Sequence, residues 1–214
     1  MSDTLVLHGY WRSGTSYRTR IALGLKGLDY EQAPVDLRAG DQRSEAYRAL
    51  NPQGLVPALE TEYGVLTQSS AILEWLEERY PEPALLPGTA AQRAIVRAMA
   101  MTVACDIHPL NNLRVLNYLK GPLEQDEDAR NHWYSHWIAT GFAALELMAK
   151  PRAGRFLFGD SPTIADVFLV PQMYNARRFQ VPLDAYPTLV AADAEAAKLE
   201  AFAAAHPDRA KPSD

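Results

Sequence analysis

Closely spaced prolines in residues 81–87 divide the chain into two parts with different patterns. Such prolines are typical of linkers, because proline cannot donate a backbone hydrogen bond within a helix or a sheet. Strand and helix patterns alternate before this segment, and only helical patterns follow it. The sequence therefore predicts an α/β domain over residues 1–82, a linker over 83–87 and an all-helical domain over 88–214.

The first part contains strand–helix pairs followed by a hairpin and another helix. Residues 4–8 predict a first strand, and residues 30–37 predict a second, in which Pro34 indicates a sheet edge. These two strands are expected to run parallel, because a helix connects them. Short apolar runs at 56–59 and 65–67 have the spacing of a β-hairpin. Helices are predicted from the residues after Ser13 to Gly27, over 44–50 and over 71–80.

The second part contains helical patterns alone. Apolar spacing predicts helices over residues 91–120, 124–149, 163–179 and 187–205. Thr163 and Asp166 have the separation of a capping box, so Asp166 is expected to be structural. The tail from His206 is expected to fray.

Composition excludes several classes of protein. A formal net charge of −5 and the lack of a long basic block argue against nucleic-acid binding. No apolar stretch approaches the roughly 20 residues that span a bilayer, and the N-terminus lacks a signal-peptide pattern. The single cysteine, Cys105, excludes an internal disulfide framework and a cysteine-rich metal site. We therefore expect a cytoplasmic protein with no metal and no nucleic-acid or membrane partner.

The turn after the first strand concentrates polar side chains. Ser13, Thr15 and Ser16 carry hydroxyl groups where the helix begins, and Arg12 and Arg18 flank them. A helix start attracts anions, because its first amides lack acceptors and lie at the positive end of the helix dipole. Capping of the helix explains one of these hydroxyls without any ligand. The whole cluster exceeds what a cap requires and predicts an anion or thiolate site.

The segment 12–23, Arg-Ser-Gly-Thr-Ser-Tyr-Arg-Thr-Arg-Ile-Ala-Leu, resembles the Ser-Ser-Cys-x-Trp-Arg-Val-Arg-Ile-Ala-Leu motif of zeta-class glutathione transferases. Gly14 and Thr15 replace the second Ser and the Cys, a form similar to the glutathione-dependent maleylpyruvate isomerases of that class. A protein thiol is therefore not essential in this turn. The resemblance covers essentially the whole chain, with further matches at Ala49-Leu-Asn-Pro52, Leu85-Leu-Pro87, Ile107-His-Pro-Leu-Asn-Asn112 and Leu169-Val-Pro-Gln-Met-Tyr-Asn-Ala-Arg-Arg-Phe179.

The resemblance implies a thioredoxin-like α/β N-terminal domain that binds glutathione, followed by an all-α C-terminal domain. It implies an enzyme that isomerises maleylacetoacetate or maleylpyruvate from cis to trans by thiolate addition, bond rotation and elimination. Conjugation of small electrophiles or halo-acids is an implied side activity, and a homodimer is the family's expected assembly. A non-catalytic glutathione-binding protein of the same fold stays an open alternative, because fold does not fix function.

The resemblance also assigns functional positions. Ser13 matches the hydroxyl that hydrogen-bonds the glutathione sulfur, and Thr15 is a candidate to share this role. Val56 matches the residue whose backbone binds the cysteinyl amide, with Pro57 expected to be cis. The full set implied for glutathione is Ser13, Gly14, Thr15, Gln42, Val56, Pro57, Gln68, Ser69, His108 and Asn112.

Within this set, two pairs of residues have a predicted arrangement. Gln68 and Ser69 match the pair that binds the γ-glutamyl carboxylate, again at a helix start. His108 and Asn112 are four residues apart and are expected to share one helix face. Gln42 is the weaker assignment, because the loop before it varies in length.

The implied substrate carries two carboxylates, which an acidic protein must bind with local cations. Arg12, Arg114 and Arg178 are the candidates, because arginine binds carboxylates in a bidentate way and stabilises developing negative charge. The implied catalytic set combines Arg12 and Arg178 with Ser13 and Thr15.

Other residues have simpler interpretations. His132 and His136 are one helical turn apart, but without a third ligand they indicate packing or an exposed face. Cys105 is expected to be buried in an apolar helix, and Arg177 is expected on the surface. A thioredoxin-like redox protein needs a cysteine in the first strand–helix turn, and this chain has none there.

Overall fold

The computed structural model describes residues 5–212 of the chain. One unit continues to Leu85 and also contains the segment from Lys198 onward, and the other unit is Leu86–Ala197. The break at Leu85 falls within the expected linker, whereas the C-terminal segment differs from the sequence division by lying with the first unit. The first residue of the expected initial strand and the last two residues of the tail lie outside the described residues.

A mixed sheet belongs to the first unit, with strands β1 (Leu5–Gly9), β2 (Tyr30–Pro34), β3 (Ala58–Thr61) and β4 (Gly64–Thr67). The order is β2-β1-β3-β4, with β2 at an edge as Pro34 indicates. β1 is parallel to β2, and β3 and β4 form a hairpin, which confirms both predictions.

The end of β2 and the start of β3 differ from the predicted bounds, and each difference has a local cause. β2 stops at Pro34 rather than at residue 37, because its partner β1 ends at Gly9, whose carbonyl accepts from the Val35 amide. β3 begins at Ala58 rather than at residue 56, since Pro57 has no amide proton for a strand ladder.

The described helices are α1 (Gly14–Leu25), α2 (Glu45–Leu50), α3 (Ser69–Arg79), α4 (Ala90–Met101), α5 (Leu113–Lys120), α6 (Glu127–Ala149), α7 (Ile164–Arg178), α8 (Pro187–Ala196), α9 (Glu200–Ala204) and α10 (Pro207–Ala210). A 3₁₀ turn spans Asp41–Arg43, and a π-helix spans Thr102–Ile107. None of the helices in residues 5–212 has the length and apolarity that a membrane crossing requires.

In the first unit, α1 packs against α3 and α9. An added Cβ at Gly24 would lie 3.3 Å from the Ala201 Cβ, so the absence of a side chain at Gly24 permits close approach of α9. Phe202 of α9 is buried against this core. The expectation of a frayed tail from His206 is wrong over the described part, because α10 forms there and Pro207 is buried.

In the second unit, α7 packs against α4 and α8, and the π-helix packs against α6. An added Cβ at Gly141 of α6 would overlap the Ile107 side chain, which explains why this close approach needs a glycine. The prediction of one helix over 91–120 is wrong, because Pro109 lacks an amide proton and Asn112 caps the new helix α5. The prediction of one helix over 187–205 is also wrong, since α8 and α9 are separate.

Candidate functional site

The turn between β1 and α1 is closed by a hydrogen bond from the Ser13 amide to the Tyr10 carbonyl, at 3.0 Å. Ser13 is the N-cap of α1, and its Oγ accepts a hydrogen bond from the Ser16 amide at 3.3 Å. The first turn of α1 contains no acidic residue, so nothing within that turn neutralises the positive helix end. Ser13 is therefore a cap, but its hydroxyl proton is available to another acceptor.

A chain of hydroxyl groups leads away from Ser13. The Ser13 and Thr15 hydroxyl oxygens are 2.8 Å apart, and the Thr15 hydroxyl donates to the Val56 carbonyl at 2.9 Å. Because a carbonyl oxygen can only accept, Thr15 gives its proton to Val56 and must accept the proton of Ser13. The arrangement fixes the direction of both protons and joins the turn to the loop before β3.

The loop that carries Val56 is held by two donors. The Leu55 carbonyl accepts from the Tyr47 hydroxyl and from the Asn51 side-chain amide, each at 2.7 Å. Burial raises the pKa of Tyr47 to about 12, so this phenol keeps its proton and remains a donor at neutral pH. The Val56–Pro57 bond is cis, as the resemblance implies. The loop thus presents the Val56 backbone beside the α1 start.

The start of α3 lacks a side-chain cap. Its N-cap residue, Gln68, has φ 68°, an uncommon backbone conformation for a residue other than glycine. The Gln68 side-chain amide donates to the Gln53 Oε1 at 2.7 Å instead of interacting with the helix. Ser69, the first residue of α3, is buried. This helix start can therefore bind an anion with its backbone amides.

Gln42 lies in the 3₁₀ turn and has an unsatisfied acceptor. Its Oε1 is buried, and no hydrogen-bond donor in the described part of the chain reaches it. An added Cβ at Gly54, where φ is +62°, would lie 2.9 Å from the Gln42 carbonyl oxygen. A buried acceptor without a donor is costly, so Gln42 fits a ligand that supplies an N–H group.

Positive charge at the turn comes from Arg12. Its guanidinium lies 5.0 Å from the centre of the Trp11 ring, a cation–π contact that restrains the side chain. Gly14, the first residue of α1, has no side chain that could crowd the neighbouring hydroxyls. The turn thus combines hydroxyl donors, a helix end and the restrained cation of Arg12.

A cavity of about 220 Å³ lies beside the same turn in the first unit. Neither Ser13 nor Thr15 lines it, so it is distinct from the hydroxyl chain. The buried Tyr10 hydroxyl has no hydrogen-bond partner among residues 5–212. The cavity is lined by Gly9, Tyr10, Trp11, Gln32, Pro34, Val35, Asp36, Arg38, Ala210, Lys211 and Pro212.

Three of the implied ligand-binding residues lie around the break before α5, in the second unit. His108 follows the π-helix, and Asn112 is the N-cap of α5, with its Oδ1 accepting from the Arg114 amide at 3.0 Å. The expectation that His108 and Asn112 share one helix face is wrong, because the turn at 108–112 separates them. Arg114 is exposed on α5.

Arg178 lies at the end of α7, in the second unit, and is exposed. Its guanidinium is 4.9 Å from the centre of the Phe179 ring, which in turn stacks on Tyr134. Arg177 is about half exposed and donates to Asp193 at 2.5 Å, so it is an ion-pair partner rather than a simple surface charge. Burial raises the pKa of Asp193, and the Arg177 charge opposes that shift.

The expectations for Cys105 and for the histidine pair on α6 have clear outcomes. Cys105 is exposed, so the expectation of burial is wrong; the wider turn of the π-helix changes the face on which it lies. His132 and His136 are both exposed on α6. In the described part of the chain, no group of three or more His, Cys, Asp or Glu residues is arranged to hold a metal ion.

The capping box at the start of α7 is present, as predicted. The Asp166 carboxylate accepts from the Thr163 amide at 2.8 Å and from the Thr163 hydroxyl at 2.9 Å. It also accepts from the Leu157 amide at 2.8 Å. Asp166 is therefore a structural residue.

Sequence reasoning missed two residues beside the site. Gln53 holds the Gln68 amide, and Arg20 donates to the Trp11 carbonyl at 2.9 Å. The separation of seven residues between Ser13 and Arg20 was a usable signal, since it places both on one face of a helix. No comparable local signal identifies Gln53.

Two family models match the chain. Residues 7–84 match the glutathione S-transferase N-terminal domain, and residues 131–207 match the glutathione S-transferase C-terminal domain. The chain is 54% identical over 203 residues to a maleylpyruvate isomerase from a Ralstonia species, an alignment that covers 94% of this chain and 96% of that one.

Solved structures are similar over nearly the same range. A holo structure of a maleyl pyruvate isomerase, described as a bacterial glutathione S-transferase of the zeta class, has a TM-score of 0.93 at 53% identity. It covers 95% of this chain and 97% of that one. The maleylacetoacetate isomerase of Anaeromyxobacter dehalogenans 2CP-1, solved with glutathione in its active site, has a TM-score of 0.88 at 50% identity, with 97% of each chain covered.

Proposed function

Because this chain belongs to the zeta class of the glutathione S-transferase family, we propose that it is a glutathione-dependent cis–trans isomerase of maleylpyruvate or maleylacetoacetate. The observation that carries the proposal is the hydroxyl chain from Ser13 through Thr15 to the Val56 carbonyl at the start of α1. There a sulfur anion would meet a hydroxyl donor and a positive helix end.

We propose that the first unit is the glutathione-binding domain, because its polar groups match those of the tripeptide. The open start of α3, at Gln68 and Ser69, suits the γ-glutamyl carboxylate. The Val56 backbone suits the cysteinyl amide, and the Gln42 Oε1 suits an N–H donor. His108 and Asn112 stay proposed contributors from the second unit.

Bound glutathione supplies a thiolate that adds to the double bond, allows rotation about the resulting single bond, and leaves. A free thiol holds its proton up to about pH 8.5, so the site must favour the anion. Ser13 does this by rotating its hydroxyl from Thr15 toward the sulfur, a movement about one bond. Thr15 keeps its own proton on Val56 and so does not compete with Ser13 as a donor.

Substrate carboxylates are assigned to arginines. We propose that Arg12, beside the Ser13 turn, binds one carboxylate and stabilises charge that develops on a substrate oxygen. Arg114 and Arg178 are the proposed partners of the other carboxylate, and both are exposed. These proposed carboxylate partners favour an enzyme over a glutathione-binding protein without turnover.

We also propose a side activity, an oligomeric state and a cellular location for this protein. The same thiolate would attack small electrophiles and halo-acids, so glutathione conjugation is a proposed side activity. A homodimer is proposed, supported by exposed apolar surface on the β3–β4 hairpin, where Tyr63 is 69% exposed; light scattering tests it. A cytoplasmic location is also a proposal.

The direct test is to mix the purified protein with maleylpyruvate or maleylacetoacetate, with and without glutathione, and to follow ultraviolet absorbance. We expect glutathione-dependent loss of the cis isomer, and the ratio of kcat/KM values identifies the preferred substrate. Ser13→Ala should lower kcat by about 10²–10³, the usual effect of losing a donor to a catalytic anion.

Ser44→Ala is the matched control, because Ser44 caps α2 in the same unit with a bond of 3.2 Å to the Tyr47 amide. It should leave kcat unchanged. If glutathione binds but neither substrate isomerises, the isomerase proposal is wrong and the binding-protein alternative stands.

A further inference from the structure

Arg20 is a buried arginine of α1, only 3% exposed. Its Nε donates to the Ala205 carbonyl at 3.0 Å, and a terminal guanidinium nitrogen donates to the Trp11 carbonyl at 2.9 Å. The guanidinium carbon lies 5.5 Å from the centre of the Tyr17 ring. One side chain therefore joins two segments that are far apart in sequence.

Burying this charge is costly. Burial lowers the pKa of Arg20 to about 10, so the group is still protonated at neutral pH. Both acceptors are neutral carbonyls, which satisfy the donors without cancelling the charge. Arg20 thus does not act as half of an ion pair, and what it does is hold two stretches of backbone.

One of those stretches is the candidate catalytic turn. Arg20 lies seven residues after Ser13, nearly two helical turns, so both project from one side of α1. The Trp11 carbonyl belongs to the turn that ends at Ser13, and the Trp11 ring carries the Arg12 guanidinium. Fixing the Trp11 carbonyl therefore fixes the backbone from which Arg12 and Ser13 project.

The other stretch is the C-terminal segment of the first unit. Close approach of Gly24 and Ala201 seats α9 on α1, and Phe202 is buried. The His206 ring meets the Tyr17 ring edge to face at 6.0 Å. Ala205, between these anchors, offers Arg20 a carbonyl that is held in place.

We propose that Arg20 is a positioning residue that ties the Ser13 turn to the C-terminal segment, so that this segment helps to set the orientation of the Ser13 hydroxyl and of Arg12. The proposal deepens the proposed function and rests on it for its catalytic consequence. Lysine is a poor substitute, since its single ammonium lacks the planar fork that meets two separate carbonyls.

The test compares Arg20→Lys and Arg20→Met with two controls in the full-length protein. Arg209→Ala removes an exposed arginine of the same C-terminal segment, which pairs with Glu200 at 3.1 Å. Ile21→Val trims a buried side chain of α1 next to Arg20 and controls for lost stability. Steady-state kinetics, ultraviolet titration of the bound glutathione thiol, and hydrogen exchange of residues 9–13 and 199–206 are measured for each.

We expect Arg20→Lys and Arg20→Met to lower kcat by about 10- to 100-fold, the scale that a small misplacement of reacting groups produces, with a change of only a few-fold in the KM for glutathione. The thiol pKa should rise, and both peptide segments should exchange faster. Both controls should match the wild type. If Arg20→Met does not fold, the same measurements on Arg20→Lys decide.

Wild-type kcat and thiol pKa in the Arg20 variants, even with faster exchange, would overturn the proposal and leave Arg20 as a packing residue. If the wild-type protein isomerises neither substrate, the proposed function fails, and thiol titration with hydrogen exchange still decides the role of Arg20. An unchanged thiol pKa and unchanged exchange in that case would overturn the proposal as well.

Discussion

Helices α3 and α7 begin in opposite ways. At α7, the Asp166 carboxylate accepts three hydrogen bonds, two from Thr163 and one from the Leu157 amide, and both Thr163 and Asp166 are fully buried. At α3, Gln68 makes no cap bond and adopts φ 68°. We call the α7 start closed, because a side chain of the protein bonds the backbone there, and the α3 start open, because no side chain caps it.

The capped helix starts have a structural role, whereas the uncapped start of α3 is a candidate binding site. α8 is also closed, because the buried Glu146 carboxylate accepts from the Thr188 and Leu189 amides, each at 3.1 Å. At α7 and α8 a buried carboxylate bonds backbone amides at or beside the helix start, whereas no side chain caps α3, where Gln68 has a positive φ. At Gln68 the positive φ coincides with an uncapped helix start, and this combination is the reason to expect a binding role there. α1 is intermediate, since Ser13 caps it and still directs a proton elsewhere.

Opening a closed start should have the largest effect. Asp166→Ala removes the shared acceptor and leaves buried amides unpaired, so we expect the free energy of unfolding to fall by about 3–4 kcal/mol. Urea denaturation measures it. Asp208→Ala, which alters an exposed carboxylate near the start of α10, is the control and should change stability by less than about 0.5 kcal/mol. Equal losses in the two variants would remove the distinction between closed and exposed starts.

The closed start should also respond to pH. Burial raises the pKa of Asp166 to about 6, above its usual value, so the folded protein binds this proton more tightly than the unfolded chain. The stabilisation of the folded state by this tighter proton binding is therefore complete at low pH, and it is lost as the pH rises through about 6. Between pH 7 and pH 5 the wild type should gain about 1 kcal/mol relative to Asp166→Asn in urea denaturation. A constant difference would contradict the raised pKa.

Substitution of Thr15 in the hydroxyl chain at α1 should have a smaller effect, on kcat/KM. Thr15→Val removes the donor to the Val56 carbonyl, the bond that persists when the Ser13 hydroxyl turns toward the sulfur, so we expect kcat/KM to fall about fivefold, the value of one neutral hydrogen bond. Thr15→Ser keeps this bond and should remain within twofold of the wild type. If the serine variant loses as much as the valine variant, the methyl group of Thr15 matters and the hydroxyl chain does not.

The smallest effect should come from relieving strain at the open start. Gln68→Gly removes the penalty of a positive φ and should stabilise the protein by about 0.5 kcal/mol, while it weakens glutathione binding. Gln180→Gly is the matched control, because Gln180 also has a positive φ, 55°, after the end of α7. It should gain similar stability with no change in glutathione affinity, as measured by urea denaturation and calorimetric titration. A loss of affinity in both variants would contradict a special role for Gln68.

Several features of the fold follow from local sequence. Alternation of apolar runs identifies the strands, and the spacing of Thr163 and Asp166 identifies a cap without any tertiary information. The polar cluster around Ser13 predicts an anion site at the α1 start from the sequence alone. These features depend on residues that are close together in the chain, which is why sequence reasoning reaches them.

The rest depends on contacts between distant residues. The apolar period continues through Pro109, so the sequence does not reveal the π-helix, and the face of Cys105 follows from that wider turn. Nothing near Arg20 indicates that its acceptor is the Ala205 carbonyl, 185 residues away. Gln68 likewise gives no local sign that Gln53 holds its amide.

In the proposed function, the Ser13 turn holds glutathione as a thiolate. The most direct test of this claim is the ultraviolet absorbance of the thiolate, titrated with pH for glutathione bound to the wild type and to Ser13→Ala. We expect the thiol pKa in the wild type to lie well below the free value of about 8.5, and in Ser13→Ala to move most of the way back. The same pKa in both proteins, or a wild-type value equal to that of free glutathione, would contradict the claim.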